Sequence, residues 1–329
     1  MKMRPLGPSG IQASAVAFGA WAAGGWRWGG QDEKASVDAI RAALDHGINF
    51  IDTAPAYGLG RGEEIVGKAI EGRRDKVVIA TKCGIVWDTD KGTFFFATDE
   101  KGKNDAGQYR LHKYLGADLI RRDLETSLKK LRTDYVDLYL THWQDPTTPV
   151  EETAALLQDL KKQGKIRAIG ACNATVSDLD RYRSKGPFDA DQERYSMLDR
   201  KQEKQNLPWT RAQKAAFLAY SPLEHGLLTG KTTVNRAYNE GDLRKGHPTF
   251  TPENVNRVNG VLDRMKPIAD RHGATIGQLV LAWTLAQPGV THVLAGSRSP
   301  QQSIENAKAG SIDLSPDELG EMDRLARGA

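Results

Sequence analysis

The sequence predicts an α/β chain closed as a (β/α)8, or TIM, barrel. Three observations lead there. Short apolar, β-branched runs alternate with helix-period segments along the whole chain. Eight such runs fit into 329 residues, which favours a closed barrel over an open doubly wound sheet. The Gly-x-Gly-x-x-Gly turn that a doubly wound nucleotide fold needs after its first strand is absent. The nearest match, Gly58-Leu59-Gly60, follows the second strand and has Glu63 at the third position. Those glycines read as backbone freedom beside Tyr57. No linker, composition shift or repeat interrupts the alternation, so residues 1–329 are expected to form a single domain.

Met3 to Leu6, Gly7-Pro8-Ser9-Gly10 and Ile11 onward read as a short N-terminal hairpin. Ala15 to Phe18 is the first strand, followed by a Gly- and Trp-rich loop to Gly30. A helix covers Asp32 to His46, with Val37, Ile40 and Leu44 on one face and Gly47 as its stop. Residues 48–52 form the second strand, Glu63 to Ile70 a helix, and Val77 to Lys82 the third strand. A long insertion, roughly Cys83 to Gly116, carries Trp87 and Phe94-Phe95-Phe96. Its turn is expected at Asp99-Glu100-Lys101-Gly102, and the three phenylalanines are expected to anchor it. Leu119 to Leu131 is helical and Tyr135 to Thr141 is the fourth strand. Thr148-Pro149-Val150-Glu151 reads as a capping box for the helix that ends at Gly164. Ile166 to Ala171, Ala190 to Gln192, Ala216 to Tyr220 and Val290 to Ala295 are the last four strands. A helix starts at Thr175, Pro208 breaks a polar helical stretch, and a second long loop runs from Pro222 to about Asn254. Helices over Val255–His272 and Thr275–Gln287 precede the last strand. Ser299-Pro300 and Ser315-Pro316 cap two helices after it.

The net charge is +4, from 46 basic and 42 acidic residues, which points to neither nucleic acid nor membrane as a main partner. Two cysteines, Cys83 and Cys172, fit a reducing compartment and no disulfide framework. No apolar run approaches the ~20 residues of a membrane span, and no signal-peptide core precedes Gly7. A cytoplasmic protein acting on a small molecule is expected, with its oligomeric state open.

The chemistry gathers at strand ends. Asp52 closes the second strand and Tyr57 follows at once. Lys82 ends the third strand, His142 the fourth, and Asn173 the fifth. In a parallel barrel these ends share one rim, where reactions are carried out. A free phenol titrates near ~10, and an adjacent ammonium is expected to lower that value. Asp52 would hold Lys82 charged, and a neutral His142 would orient an oxygen. This set can protonate a carbonyl oxygen. It includes neither a nucleophile–base pair nor metal-ligand spacing, so a nicotinamide cofactor is the economical source of hydride.

Seven stretches carry a more specific likeness: Asp52-Thr-Ala-Pro-Ala-Tyr57, Ala80-Thr-Lys82, Tyr139-Leu-Thr-His142, Gly170-Ala-Cys-Asn173, Ala219-Tyr-Ser-Pro-Leu223, Gly226-Leu-Leu-Thr-Gly-Lys231 and Gly296 through Asn306. Over essentially its whole length the chain resembles the aldo-keto reductase superfamily. That resemblance implies a barrel that reduces aldehydes and ketones with NAD(P)H, reversibly as an alcohol dehydrogenase. Tyr57 would be the general acid/base, tuned by Lys82 and Asp52, with His142 orienting the carbonyl. Asn173 and Gln192 would hold the nicotinamide carboxamide and Tyr220 would stack on its ring. Ser221, Pro222, Leu223, Gly226 and Lys231 would contact the pyrophosphate. Gly296, Ser297 and Arg298 lie before a capped helix N-terminus suited to an anion. Arg298 would favour NADP(H) over NAD(H), and Gln302, Glu305 and Asn306 would reach the adenosine end. Ala20, Trp21 and Asp52 complete the cofactor set. Two residues depart from the family pattern. Cys172 replaces a common serine, and Gly296 a common lysine, which leaves Arg298 as the main 2′-phosphate ligand. Substrate would meet Tyr57, His142, Trp26, Trp87 and Trp143, although the tryptophans fit loop packing equally well. The rival reading is an NADP(H)-binding sensor or auxiliary subunit with little turnover.

Overall fold

The computed structural model describes residues 1–99 and 107–327. The chain opens with an antiparallel hairpin, β1 (Met3–Pro5) and β2 (Gln12–Ser14). The first barrel strand, β3 (Val16–Gly19), leads to α1 (Glu33–Asp45), β4 (Phe50–Asp52), α2 (Arg61–Ala69) and β5 (Val78–Cys83). The insertion after β5 is a three-stranded antiparallel sheet of β6 (Ile85–Val86), β7 (Thr93–Thr98) and β8 (Tyr109–Lys113). Of the expected turn there, Glu100, Lys101 and Gly102 lie outside the described residues. Then come α3 (Ala117–Leu131), β9 (Val136–Thr141), α4 (Val150–Lys162), β10 (Ile166–Cys172), α5 (Val176–Arg183), β11 (Ala190–Arg194), α6 (Asn206–Gln213) and β12 (Ala216–Tyr220). The chain ends with α7 (Pro252–Arg271), α8 (Ile276–Ala286), β13 (His292–Gly296), α9 (Pro300–Ala309) and α10 (Pro316–Arg327).

Strands β3, β4, β5, β9, β10, β11, β12 and β13 pair in that order and close into a parallel barrel of eight. The expected (β/α)8 architecture is therefore the observed one. The residue alternation of each strand explains how the barrel presents chemistry. Phe50, Val78, Ala80, Leu138, Leu140, Ala190, Leu218 and Leu294 pack together inside. Ile51, Ile79, Cys83, Tyr139 and Phe217 pack with the surrounding helices instead. Continuing the inward series by two residues reaches Asp52, Lys82, His142, Gln192 and Tyr220. On the strands that carry these five residues the inner face is apolar below and polar at the rim.

The hairpin plugs the opposite end, with Leu6 and Ala13 joined to the interior cluster. Gly7 makes this plug possible. Its φ is +53°, and a Cβ there would stand 2.1 Å from the carbonyl oxygen of Asp189.

Two local expectations change. Thr148 does not cap α4: its hydroxyl donates to Asp145 Oδ2 at 2.8 Å, Pro149 occupies the cap position, and Glu151 pairs with Arg181. Pro208 does not end a helix but lies in the first turn of α6, where a missing N–H costs little.

Candidate active site

The site is built on β4. After Asp52 the chain turns through Ala54–Tyr57, closed by the Tyr57 N–H to Ala54 oxygen bond at 3.1 Å. Gly62, in the first turn of α2, packs against this turn, and a Cβ there would lie 3.0 Å from Tyr57 Cβ. The phenol is thereby returned over the barrel mouth.

Lys82 is fully buried. Its Nζ lies 2.8 Å from both carboxylate oxygens of Asp52, 2.9 Å from the Thr53 carbonyl oxygen and 3.1 Å from Tyr57 Oη. Burial opposes its charge, but Asp52 and then Tyr57 hold its pKa above the ordinary value. Because the ammonium donates to Oη, the phenol keeps its own proton for another acceptor. The expected lowering of the phenol pKa is not what the site produces. Burial raises Tyr57 above its ordinary value, and this outweighs the opposing charge of Lys82. His142 stands edge-on to Tyr57, ring centroids 5.7 Å apart. Burial, with Lys82 as a second cause, lowers its pKa well below the usual range, so the imidazole is neutral at physiological pH.

Two amides flank this group. Asn173, at φ +53°, donates to the His142 carbonyl oxygen at 2.9 Å and accepts from Tyr220 Oη at 2.8 Å. Gln192 donates to Asp52 Oδ1 at 2.8 Å and accepts from the Cys172 thiol at 3.2 Å. Each amide still has one N–H and one lone pair free of these bonds. That donor-and-acceptor set is complementary to another carboxamide, which is the recognition a nicotinamide requires.

A cavity of about 560 Å³ opens above these residues. Every member of the expected cofactor set lines it except Ala20 and Ser297. Ala20 is buried, with its N–H on the Asp52 carbonyl oxygen, and Ser297 is buried beneath the Asn306 amide. Tyr57, His142, Trp26 and Trp143 of the expected substrate set also line it, whereas Trp87 packs against the aromatic cluster behind the wall. Asp52 reaches the cavity wall, and Lys82 lies buried beneath it.

Arg298 is engaged by the loop after β3. Its Nε donates to Gln31 Oε1 at 2.9 Å, and its terminal nitrogens to the carbonyl oxygens of Trp28 and Gly30. Nearby, Lys231 pairs with Glu305 at 2.9 Å. These contacts tie the loop after β3 to the segment before α9, and the loop after β12 to α9 itself.

Sequence reasoning missed several lining residues: Arg27, Trp28, Phe95, Phe96, His225 and Arg244. For the phenylalanines the reason is local. A bulge between Phe94 and Phe96 breaks the two-residue alternation. Phe94 is left exposed, while Phe95 and Phe96 both reach the cavity. Trp28 and His225 gave a faint signal, as bulky rings beside glycines in loops that follow strand ends.

A family model described as "Aldo/keto reductase family" matches residues 15–327. The chain belongs to the aldo/keto reductase family. It is 41% identical to the NADH-specific methylglyoxal reductase of Escherichia coli over 99% of this chain and 98% of that one. It is 40% identical to the aldo-keto reductase YhdN of Bacillus subtilis over 92% of this chain and 86% of that one. Among solved structures, the glycerol dehydrogenase AKR11B4 from Gluconobacter oxydans superimposes with a TM-score of 0.86 at 34% identity, covering 98% and 94% of the two chains. As a family member the protein is an oxidoreductase that uses a nicotinamide cofactor. None of its described helices is long and apolar enough to cross a membrane.

Proposed function

We propose that this aldo/keto reductase converts a small aldehyde or ketone to its alcohol, with Tyr57 as the proton donor. The observation that carries the reading is the buried ammonium of Lys82 at 3.1 Å from a phenol whose proton is not taken up by the protein. Neutral His142 donates an N–H to the carbonyl oxygen and polarises it. When bound, the reduced nicotinamide supplies the hydride that reaches the carbonyl carbon. Tyr57 gives its proton to the oxygen as the C–O double bond becomes single. Lys82, anchored by Asp52, stabilises the phenolate left behind. Asn173 and Gln192 would hold the carboxamide, with Tyr220 beside the ring.

The cofactor preference turns on Arg298. A 2′-phosphate would gain charge-assisted bonds there, each worth about 1.5–3 kcal/mol. It would displace the bonds that the same charged guanidinium donates to Gln31 and to the Trp28 and Gly30 carbonyls, each of similar worth. The two nearly cancel, so NADPH is accepted with less than about a tenfold advantage over NADH, where 1.4 kcal/mol is tenfold. The relative described as NADH-specific is in keeping with a weak phosphate site.

Steady-state rates with a panel of aldehydes, using each cofactor, test both statements. Tyr57→Phe should lose at least about a hundredfold in kcat. A variant that keeps wild-type turnover ends the reading. Tight cofactor binding with no turnover of any carbonyl would instead favour a sensor.

A further inference from the structure

Arg27 has no place in the chemistry above. It sits in the loop after β3, at φ +63°, and lines the cavity beside Trp26. Its guanidinium carbon lies 5.3 Å from the centroid of Phe96 and 5.8 Å from that of Trp26. Among the described residues no carboxylate or carbonyl pairs with its side chain, and its Nε is buried without a partner. Most other cations in the cavity wall are engaged. Arg194 pairs with Glu224, Arg244 with Asp242 and Lys231 with Glu305, while Arg298 is held by loop carbonyls.

A second observation points the same way. The orphaned buried polar atoms of this wall are all N–H donors: the indoles of Trp21, Trp26 and Trp28, and the Nε atoms of Arg27 and Arg194. Only Arg194 among them has an ion-pair partner, Asp199 at 3.4 Å. A wall of donors without acceptors is complementary to an oxyanion. Burial also lowers the Arg27 pKa, as expected for a guanidinium that protein acids leave uncompensated.

Position separates Arg27 and Trp26 from the expected cofactor phosphates, whereas Trp28 meets His225 of the β12 loop at 5.9 Å and Arg194 pairs with Glu224 there. Those phosphates would lie by β12, β13 and α9. Arg27 and Trp26 stack instead on Phe96 of the β5–β9 insertion, and Trp26 shares a cluster with Ala56, next to Tyr57. Trp21 bridges the two, its ring stacked 6.2 Å from that of Tyr57.

We propose that Arg27, assisted by the indole N–H groups beside it, binds the carboxylate of a substrate whose carbonyl is reduced at Tyr57. The substrate class is then an oxo acid with its aldehyde or ketone separated from the carboxylate by a short apolar spacer. Arg27, flanked by the neutral indole donors of Trp26 and Trp28, suits a monoanion better than a phosphate dianion. This inference rests on the reductase reading.

The test compares matched pairs: succinic semialdehyde with butanal, and 4-carboxybenzaldehyde with 4-formylbenzamide. Wild-type kcat/KM should favour the charged member of each pair by tenfold or more. In Arg27→Leu that ratio should collapse about ten- to a hundredfold, mainly through KM, and Arg27→Lys should retain part of it. No charged preference in the wild type, or equal loss for both members in Arg27→Leu, overturns the proposal. So does a weakened cofactor Kd in Arg27→Leu, which would assign the guanidinium to the cofactor.

A binding arm separates the two readings. Binding of 4-(hydroxymethyl)benzoate and its amide is followed by tryptophan quenching on cofactor-loaded protein. Selective acid binding that Arg27→Leu abolishes supports the subsite even where no aldehyde turns over. Equal binding of acid and amide refutes it whatever the turnover.

Discussion

Substituting Lys82 by methionine tests the ion pair at the floor of the site. The ammonium is fully buried and Asp52 is 3% exposed. Lys82→Met leaves that carboxylate with one retained side-chain donor, Gln192 Nε2 at 2.8 Å. Breaking a buried pair from one side costs about 3–5 kcal/mol, because the remaining charge is uncompensated. At roughly 2.1 cal/mol/K per residue, 329 residues give an unfolding entropy near 0.7 kcal/mol/K. The expected fall in Tm is therefore about 4–7 °C, read by calorimetry at fixed scan rate. Asp52→Asn combined with Lys82→Met removes the stranded charge as well, and should recover at least half of the lost Tm. It should not recover activity, since the phenolate formed at Tyr57 would have no counter-charge. A double variant as unstable as the single one refutes the pairing argument. A double variant with wild-type kcat refutes the role given to the ammonium.

Three further outcomes follow from named contacts. Burial lifts Glu63 to about 7, although Thr81 donates to it at 2.6 Å. A carboxyl with a raised folded pKa stabilises below its unfolded value near 4.5, and that stability fades as pH rises through about 7. Glu63→Gln should then gain Tm relative to wild type between pH 5 and pH 8, and an unchanged difference contradicts the burial argument. With Tyr57 held protonated and His142 neutral, carbonyl reduction should be flat from pH 6.5 to 8.5, while alcohol oxidation, which needs the phenolate, climbs with pH. Initial rates in both directions check this, and a reductive rate that drops across that window counts against it. Gly7→Ala should destabilise by about 1–3 kcal/mol through its positive φ and the clash with Asp189, measured by thermal melting.

What could be read from the chain is what depends on near neighbours. Strand runs, their order and the parity that turns Asp52, Lys82 and His142 inward follow from a repeat of two residues along each strand. The gathering of these three groups needs no contact information once the barrel is assumed, because all parallel strands end at one rim. The failures lie where distant segments decide the outcome. Trp87 fits both readings in sequence because its fate depends on a cluster drawn from the loop after β3 and from strands β6, β7 and β8. Arg298 reads in sequence as a phosphate ligand, and the loop some 270 residues earlier that supplies carbonyls to it is a contact the sequence does not announce. The largest error concerns the phenol. Pairing Tyr57 with Lys82 by sequence weighs an attraction but not the burial that accompanies it, and burial is the larger effect here. The reversal alters the mechanism. A phenol made acidic would be partly ionised before substrate arrives. This one stays protonated in the resting site, and Lys82 acts as the charge changes, when the phenolate forms beside it. An ammonium already locked by Asp52 needs no reorganisation at that moment, and this preorganisation is what makes the buried pair useful despite its cost to stability.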